Sequence, residues 1–453
     1  MRKDRAAAHK LLRSSSYNMT NSFFSKRAAK NAGWLIAGKV IHMGLAFLVN
    51  LLTARYLGPS NYGLINYAAL YTAFFTSLAN LGLSSILVKD FVENPQEAGT
   101  AVGTSIVLRL LSSTLSAVTI VAIVFFVDAG ERLTLTVVAL YSFSLVFQAF
   151  DTIRYWFQSR LESKYATIAT SIGYAIVSAY KIMLLVLGKD VRWFAISNTI
   201  DYAVAALVFL LLYKWRDGPR LRVSFAKALR LLRESKSFIL CSLMVAVYNC
   251  TDRFMLKHML SEAEVGYYAI ATSLASVWTF ILAAIIDSVF PGIMRAYQSD
   301  REQFTQHNRK LYALIFYLSI SVSAAITLLA HPAVRILYGV AYLPAVLPMQ
   351  VITWYTAFSY LGVARNAWVV CEGKQKYLTP LYVGSALINV VLNYLLIPQW
   401  GATGAAAASL MTQISTTFVF PLIIKPLRPN GVLMCEAVIL KNVFTKKNEQ
   451  PTS

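Results

Sequence analysis

Three cations interrupt long apolar stretches of this chain: Lys39, Arg109 and Lys181. A charge at the bilayer centre costs at least about 2.5–3.5 kcal/mol on insertion scales, so it normally faces protein or water. At a helical rise of 1.5 Å per residue, Lys39 enters roughly 8 Å from the start of its stretch, Arg109 roughly 14 Å and Lys181 roughly 22 Å. A series of cations at increasing depth suits the passage of an anion such as a diphosphate, which is prohibitively unfavourable in a membrane without compensating charge. A guanidinium grips two phosphate oxygens at once, whereas an ammonium is a point charge. Arg109 is therefore the expected head-group contact, with Lys39 and Lys181 as inner and outer stations. Each has a plainer alternative. Lys39 and Lys181 lie near opposite interfaces and can snorkel, and Arg109 can pair with Asp201 at similar depth. A ligand's loss abolishes transport, whereas a structural pair is rescued by removing Asp201 as well.

The elements that must position these groups are helices. A membrane helix needs about 20 mostly apolar residues, and twelve such runs can be traced: approximately 34–54, 62–88, 100–127, 133–150, 166–187, 191–213, 237–257, 266–290, 311–331, 347–369, 378–397 and 402–424. Only helices and closed barrels satisfy backbone groups in lipid, and runs this long without alternation are helices. The expected fold is an all-α polytopic membrane protein. Polar residues recur on single faces of the first five runs: Lys39, His42 and Asn50; Asn66, Ser77 and Asn80; Ser105, Arg109, Ser112 and Ser116; Tyr141, Ser144, Gln148 and Asp151; Ser171, Tyr174, Ser178 and Lys181. Such stripes line a hydrophilic cleft, or else serve helix packing, where small polar residues are common. His42 would be a substrate or proton contact on the first stripe.

Composition agrees. The chain has 453 residues, 57% of them hydrophobic and only 14% charged, where a soluble protein averages about 25% charged. A net charge of +21 would suggest nucleic acid in a soluble protein, but the placement of the cations gives another cause. With the amino terminus inside, 32 of the 42 Lys and Arg fall in cytoplasmic segments or at the cytoplasmic ends of spans, seven in the opposite loops or at the outer ends of spans, and three deeper inside spans. That asymmetry fixes both termini in the cytoplasm. The segments 1–33 and 425–453 are cytoplasmic tails, the first basic and without a signal-peptide core; within the second, Val432–Leu440 could lie on the membrane surface. The basic linker 214–236 separates an amino-terminal lobe, 34–213, from a carboxy-terminal lobe, 237–424.

The halves repeat. Tyr62-Gly63-Leu64-Ile65-Asn66-Tyr67-Ala68 recurs as Val265-Gly266-Tyr267-Tyr268-Ala269-Ile270-Ala271 at an offset of 203, and Trp156 with Lys164-Tyr165 recurs as Trp368 with Lys376-Tyr377 at 212. Six spans per half make these parallel repeats, a transporter design with a substrate cleft between halves.

The stretch Leu52-Thr53-Ala54-Arg55-Tyr56-Leu57-Gly58-Pro59-Ser60-Asn61-Tyr62-Gly63 resembles the end of the first span in polysaccharide-biosynthesis flippases. So does Thr251-Asp252-Arg253-Phe254-Met255-Leu256 followed by Glu264-Val265-Gly266-Tyr267-Tyr268-Ala269. These are the O-antigen-type lipid-linked oligosaccharide flippases of the multidrug/oligosaccharidyl-lipid/polysaccharide exporter superfamily, and the likeness covers about residues 30–425. It implies twelve helices in two lobes, with movement of undecaprenyl-diphosphate-linked sugar to the outer leaflet of a bacterial inner membrane. On this resemblance the motif glycines and Arg55 shape the first turn, and none of these residues is catalytic. Implied partners are the lipid-linked oligosaccharide, membrane lipids and other polysaccharide-assembly proteins.

The second half holds fewer cations. Asp252 is a candidate to bind a coupling proton or sodium ion, or to pair with Arg253 or Lys257 beside it; Asp201 is open to the same two roles. Asp287 and Arg365, towards the cytoplasmic ends, suit an inner gate. No phosphate-binding GxxxxGK[ST], HExxH or GxSxG occurs. Four Cys and five His lack metal-ligand spacing, so no enzyme, cofactor or metal is expected. Two other functions stay open. A glycan polymerase or ligase on the same carrier should have a large outer loop, but the outer loops here are short; a drug or cation antiporter of the superfamily should carry acidic rather than basic cleft residues.

Overall fold

The computed structural model describes residues 26–441, with the side chains of 26–42, Ser85 and most of 237–249 outside the description. Lys39, His42 and most of the amino-terminal tail therefore fall outside the described side chains. The apolar runs form helices: α1 (Lys26–Ala79), α2 (Ser84–Glu93), α3 (Ala98–Val127), α4 (Arg132–Ser142), α5 (Ser144–Gln148), α6 (Thr152–Ser159), α7 (Ser163–Val186) and α8 (Val191–Trp215). Then follow α9 (Phe225–Met259), α10 (Glu262–Ser276), α11 (Thr279–Ser299), α12 (Arg301–Leu337), α13 (Val346–Cys371), α14 (Leu378–Ile414), α15 (Phe420–Ile423) and α16 (Arg428–Val438). No strand occurs among the described residues. Among the described residues, seven segments are long and apolar enough to cross a membrane: Pro95–Val127, Arg132–Ser159, Ser163–Val186, Val191–Trp215, Thr279–Ser299, Arg301–Leu337 and Gln375–Ile423. The chain is a multi-pass, all-helical membrane protein.

The chain divides into two compact units. The first takes the residues up to Tyr56 and Ala68–Val247; the second takes Leu57–Tyr67 and everything from Tyr248. The first is packed around Leu87, Phe91, Val102, Ile153, Trp156, Phe157 and Phe209, with the Trp156 ring edge-on to Tyr213 at 4.8 Å. The second is packed around Leu311, Tyr312, Leu361, Trp368, Leu381 and Met434.

Several element ends differ from those the sequence suggests. The expected turn at 57–61 narrows to one residue: helical geometry breaks at Gly58 (φ 72°, ψ 172°) and resumes at Pro59, where proline suits a helix start because its missing N–H has no partner to lose. Gly401 (φ 54°) makes the same break between the two arms of α14. The fourth span does not stop at 150. Short α4, α5 and α6 follow one another, the last two through a 3₁₀ turn at Ala149–Asp151, so Asp151 and Arg154 lie within the apolar helical segment Arg132–Ser159 rather than beyond its end. Val432–Leu440, which by sequence could lie on the membrane surface, buries Leu433, Met434 and Ala437 in the second unit's core and leaves Val432, Ile439 and Leu440 exposed. Arg309 holds it by an ion pair to Glu436 at 2.7 Å, and Asn430 donates to the Tyr312 hydroxyl at 2.8 Å. Amphipathicity alone does not distinguish a lipid surface from a protein one.

Backbone geometry adds to the evidence for duplication. Residues with positive φ close three successive turns in each half: Gly130, Leu161 and Gly188, then Gly339, Gly373 and Gly401. Their offsets are 209, 212 and 213 residues, close to the sequence offsets. Leu161 has no freedom from a missing Cβ, so its left-handed backbone must be imposed by the turn it closes.

Candidate functional site

Arg109, on α3, is only 2% exposed. Its Nη1 donates to Thr152 Oγ1 at 3.2 Å and its Nη2 to Asn80 Oδ1, while its Nε is buried without a partner. Both acceptors are neutral. Asn80 is placed by the turn between α1 and α2, and Thr152 by the start of α6, where its own hydroxyl bonds back to Ala149 O at 3.0 Å. The guanidinium thus ties three elements together and keeps its full charge. The alternative Arg109–Asp201 pair is not formed. Asp201, on α8, lies against α7 at Gly173, where an added Cβ would approach its Oδ1 to 3.0 Å, and Lys181 is the cation whose field reaches it. Asp151 is the carboxylate acting electrostatically on Arg109, but it is bridged to Arg154 at 3.8 Å. The embedded charges of the first unit are thus not purely basic, because two acids accompany them.

Much of the polar stripe pattern is used between helices. Ser112 donates to Leu78 O at 3.2 Å, Thr76 to Gln148 Oε1 at 3.3 Å, Asn198 to Ser144 Oγ at 2.8 Å and Thr199 to Leu140 O at 2.7 Å. Of the stripe residues, Ser112, Ser144 and Gln148 thus serve packing, the plainer of the two uses their spacing allowed.

In the second unit the notable group is Asp252. It does not pair with Lys257, which bridges to Glu262 instead. Its Oδ2 accepts from Tyr268 Oη at 2.7 Å and Ser409 Oγ at 2.5 Å, and its Oδ1 from Asn393 Nδ2 at 2.6 Å. Asn393 also donates to Asn389 Oδ1 at 3.1 Å. Residues from α9, α10 and both arms of α14 therefore meet at one carboxylate. Asn393 Oδ1 and Thr412 Oγ1, the latter one turn beyond Ser409, are buried without partners. The arrangement is oxygen-rich with a single negative charge, which suits a monovalent ion or a proton. Among the described residues no cluster of three or more His, Cys, Asp or Glu forms a metal site. Of these residues the sequence singles out Asp252, because it interrupts an apolar run; Ser409 and Thr412 follow the alanine-rich stretch Gly404–Ala408 and carry no such signal.

The suggested gate of Asp287 and Arg365 is not formed. Asp287 is exposed on α11, whereas Arg365 on α13 is 0% exposed. The reason lies in residues Ser415–Val419, which form a π-helical segment. A π-bulge displaces carbonyls from the regular ladder, and Arg365 Nη1 donates to one of them, Thr416 O, at 3.1 Å. Its Nε and Nη2 have no partner. A buried charge with one neutral acceptor returns little of its desolvation cost. Arg365→Met is therefore expected to melt within a few degrees of wild type or above it in a detergent thermal scan. A large drop would show that the charge itself holds α13 to the π segment.

Residues 28–297 match the family described as polysaccharide biosynthesis protein. The capsular polysaccharide biosynthesis protein CapF of Staphylococcus aureus is 18% identical over 397 residues, covering 85% of this chain and 96% of CapF. The succinoglycan biosynthesis transport protein ExoT of Rhizobium meliloti (strain 1021) is 22% identical over 402 residues, covering 86% of this chain and 76% of ExoT. Among solved structures, the lipid II flippase MurJ in an inward closed conformation superposes with a TM-score of 0.66 at 14% identity, covering 90% of this chain and 93% of that one. An inward-facing multidrug resistance MATE family transporter of the MOP superfamily also gives 0.66 at 14% identity, over 85% and 96% of the two chains. At this identity the structural likeness is one of fold.

Proposed function

The chain belongs to the polysaccharide biosynthesis protein family, and on that premise we propose that it is a flippase moving an undecaprenyl-diphosphate-linked oligosaccharide from the cytoplasmic to the outer leaflet of a bacterial inner membrane. The observation that carries this reading is Arg109, a buried guanidinium inside a membrane-crossing helix whose hydrogen-bond acceptors are both neutral. A full positive charge maintained in that setting favours an anionic cargo over a cationic drug. Lys181 supplies the outer station and Lys39 the inner one. Reaching Arg109 requires the side chains of Asn80 and Thr152 to give up its Nη atoms, so the diphosphate competes with two weak, neutral acceptors rather than with a carboxylate. Alternating access then moves the head group while the lipid tail stays in the bilayer. The relatives' printed roles in capsule biosynthesis and succinoglycan transport support the same class of cargo, and the short outer loops favour transport over polymerisation or ligation.

We assign coupling to Asp252. A carboxylate held by three neutral donors, beside two unpartnered buried oxygens, suits exchange of a proton or sodium ion. The test is reconstitution into vesicles with lipid-diphosphate glycan, scoring its appearance in the outer leaflet under imposed sodium and proton gradients. Arg109→Ala is expected to lose at least about tenfold in rate at normal protein levels, and Asp252→Asn to lose the dependence on one gradient. Full activity of Arg109→Ala would remove the anionic-cargo argument. Absence of flipping by the wild-type protein would overturn the function itself.

A further inference from the structure

The linker between the last helix of the first sequence half and α9 is not a free loop. Residues 218–224 are neither helix nor strand and cross the start of α3 at Gly99 and Gly103. A Cβ on either glycine would strike the carbonyl oxygen of Arg220 or Arg222. Arg222 N donates to Gly99 O at 3.3 Å and Ser224 N to Thr104 Oγ1 at 3.0 Å. The chain then enters α9, whose first turns bury Lys227, Leu231 and Ser235 on one face. With its backbone fixed in this way, the strap turns the rest of its side chains outward. Leu221, Val223, Phe225 and Leu229 are all exposed, Phe225 to 84%. Arg220, Arg222 and Arg233 are exposed among them.

Large apolar side chains held outward on a rigid backbone need an occupant, and two observations say which. The first is continuity. On α8, Leu207, Leu211 and Trp215 form an exposed stripe at four-residue spacing that leads into the strap, and on α3 Val107, Leu111, Leu115 and Val118 form another starting one turn past Gly103. Both helices are apolar enough to cross a membrane, so these stripes face lipid and the strap lies at their ends. The second is charge. The exposed arginines suit phosphate groups, and the neighbouring Arg216 and Arg230 are already committed to Glu162 and Asp90 at 2.8 and 2.7 Å. A surface with apolar side chains reaching the acyl boundary and arginines at head-group level is the pattern of an interfacial lipid contact.

We propose that residues 220–233 form a binding surface for anionic phospholipid of the cytoplasmic leaflet, with Phe225 and its neighbours inserted and Arg220, Arg222 and Arg233 on the phosphates. The surface lies outside the helices assigned to the cargo and is independent of what that cargo is. Two measurements on the full-length protein in nanodiscs test it. In a cysteine-free background, a spin label at Phe225→Cys should collide more with lipid-soluble oxygen than with a water-soluble nickel chelate. Native mass spectrometry should then find phosphatidylglycerol retained from mixed phosphatidylcholine–phosphatidylglycerol discs. Replacing the three arginines by glutamine should cut retention at least tenfold, each exposed cation near an anionic surface being worth about a factor of five, while arginine-to-lysine replacements largely preserve it. A label at Phe225 more accessible to the nickel chelate, or phosphatidylglycerol retention unchanged in the glutamine variant, would overturn the proposal.

Discussion

Gly63→Ala is expected to lower the melting temperature in detergent drastically and to leave little folded protein in membranes, and Gly266→Ala is expected to do the same. A Cβ on Gly63 would lie inside the carbonyl oxygen of Glu262 and 3.0 Å from Gly266 N, and one on Gly266 would strike the Pro59 carbonyl oxygen and come within 3.3 Å of Gly63 N. These neighbours are backbone, so no rotamer change relieves the overlap. Costs of about 4–5 kcal/mol or more belong to this short list of mechanisms. The contact is reciprocal: each glycine meets the carbonyl of the residue four places before the other. Both pairs, Pro59 with Glu262 and Gly63 with Gly266, are 203 residues apart, so this crossing inside the second unit has the symmetry of a local two-fold. Small residues that let two helix backbones touch are the expected device where apolar burial gives membrane helices no net drive to associate. Gly292→Ala is the control, because a Cβ there meets nothing within 4 Å, and its melting temperature should hold or rise slightly. Wild-type melting of Gly63→Ala would mean that the crossing is looser than its geometry.

The same pair shows how far the sequence could be read. Gly63 and Gly266 stand out as matching positions in two repeats, and the flippase resemblance assigned the motif glycines to the turn. Of the motif glycines Gly58 does make the turn, with a positive φ that side chains disfavour; Gly63 and Gly266 make the crossing instead. Sequence records that glycine is needed, and only the backbone shows whether dihedral freedom or missing volume is the reason. Embedded charges follow the same rule. Composition and hydropathy identify Arg109, Asp252 and Arg365 as membrane-embedded, because each interrupts an apolar run. Their partners come from elements distant in sequence: Asn80 and Thr152, Tyr268 and Ser409, Thr416. The alternative partners Asp201, Arg253 and Lys257 are matched only in depth or nearness in sequence, and neither measures which helix faces which. Arg365 could not have been placed at all, since its acceptor is a carbonyl displaced by a π segment that leaves no mark in residue type.

Lys227→Met is expected to lower the melting temperature by on the order of 10 °C, the shift that corresponds to about 3–5 kcal/mol in a unit of this size. Lys227 and Asp90 are both buried, with Lys227 Nζ at 2.9 Å from Asp90 Oδ1 and 3.0 Å from Glu97 Oε2. Removing the ammonium leaves a carboxylate in a site it cannot exchange for water, and that penalty, rather than the worth of the pair, dominates the loss. Arg230 Nη2, 2.7 Å from Asp90 Oδ1, compensates in part and places the effect towards the lower end of the range. The double variant Lys227→Met with Asp90→Leu removes both charges together and should recover most of the stability, because a buried ion pair and a well-packed apolar pair differ little. Equal melting of single and double variants would show that the ammonium packs rather than pairs. The outcome reaches beyond stability. Lys227 fastens the start of α9 to α2 and the turn before α3, directly after the strap that crosses Gly99 and Gly103. A salt-insensitive drop in Lys227→Met, with the strap's label at residue 225 losing its lipid contact, would mean that this buried pair sets the height at which the linker meets the membrane. A drop with that contact preserved would assign the positioning to the two glycines alone, where backbone lies on backbone.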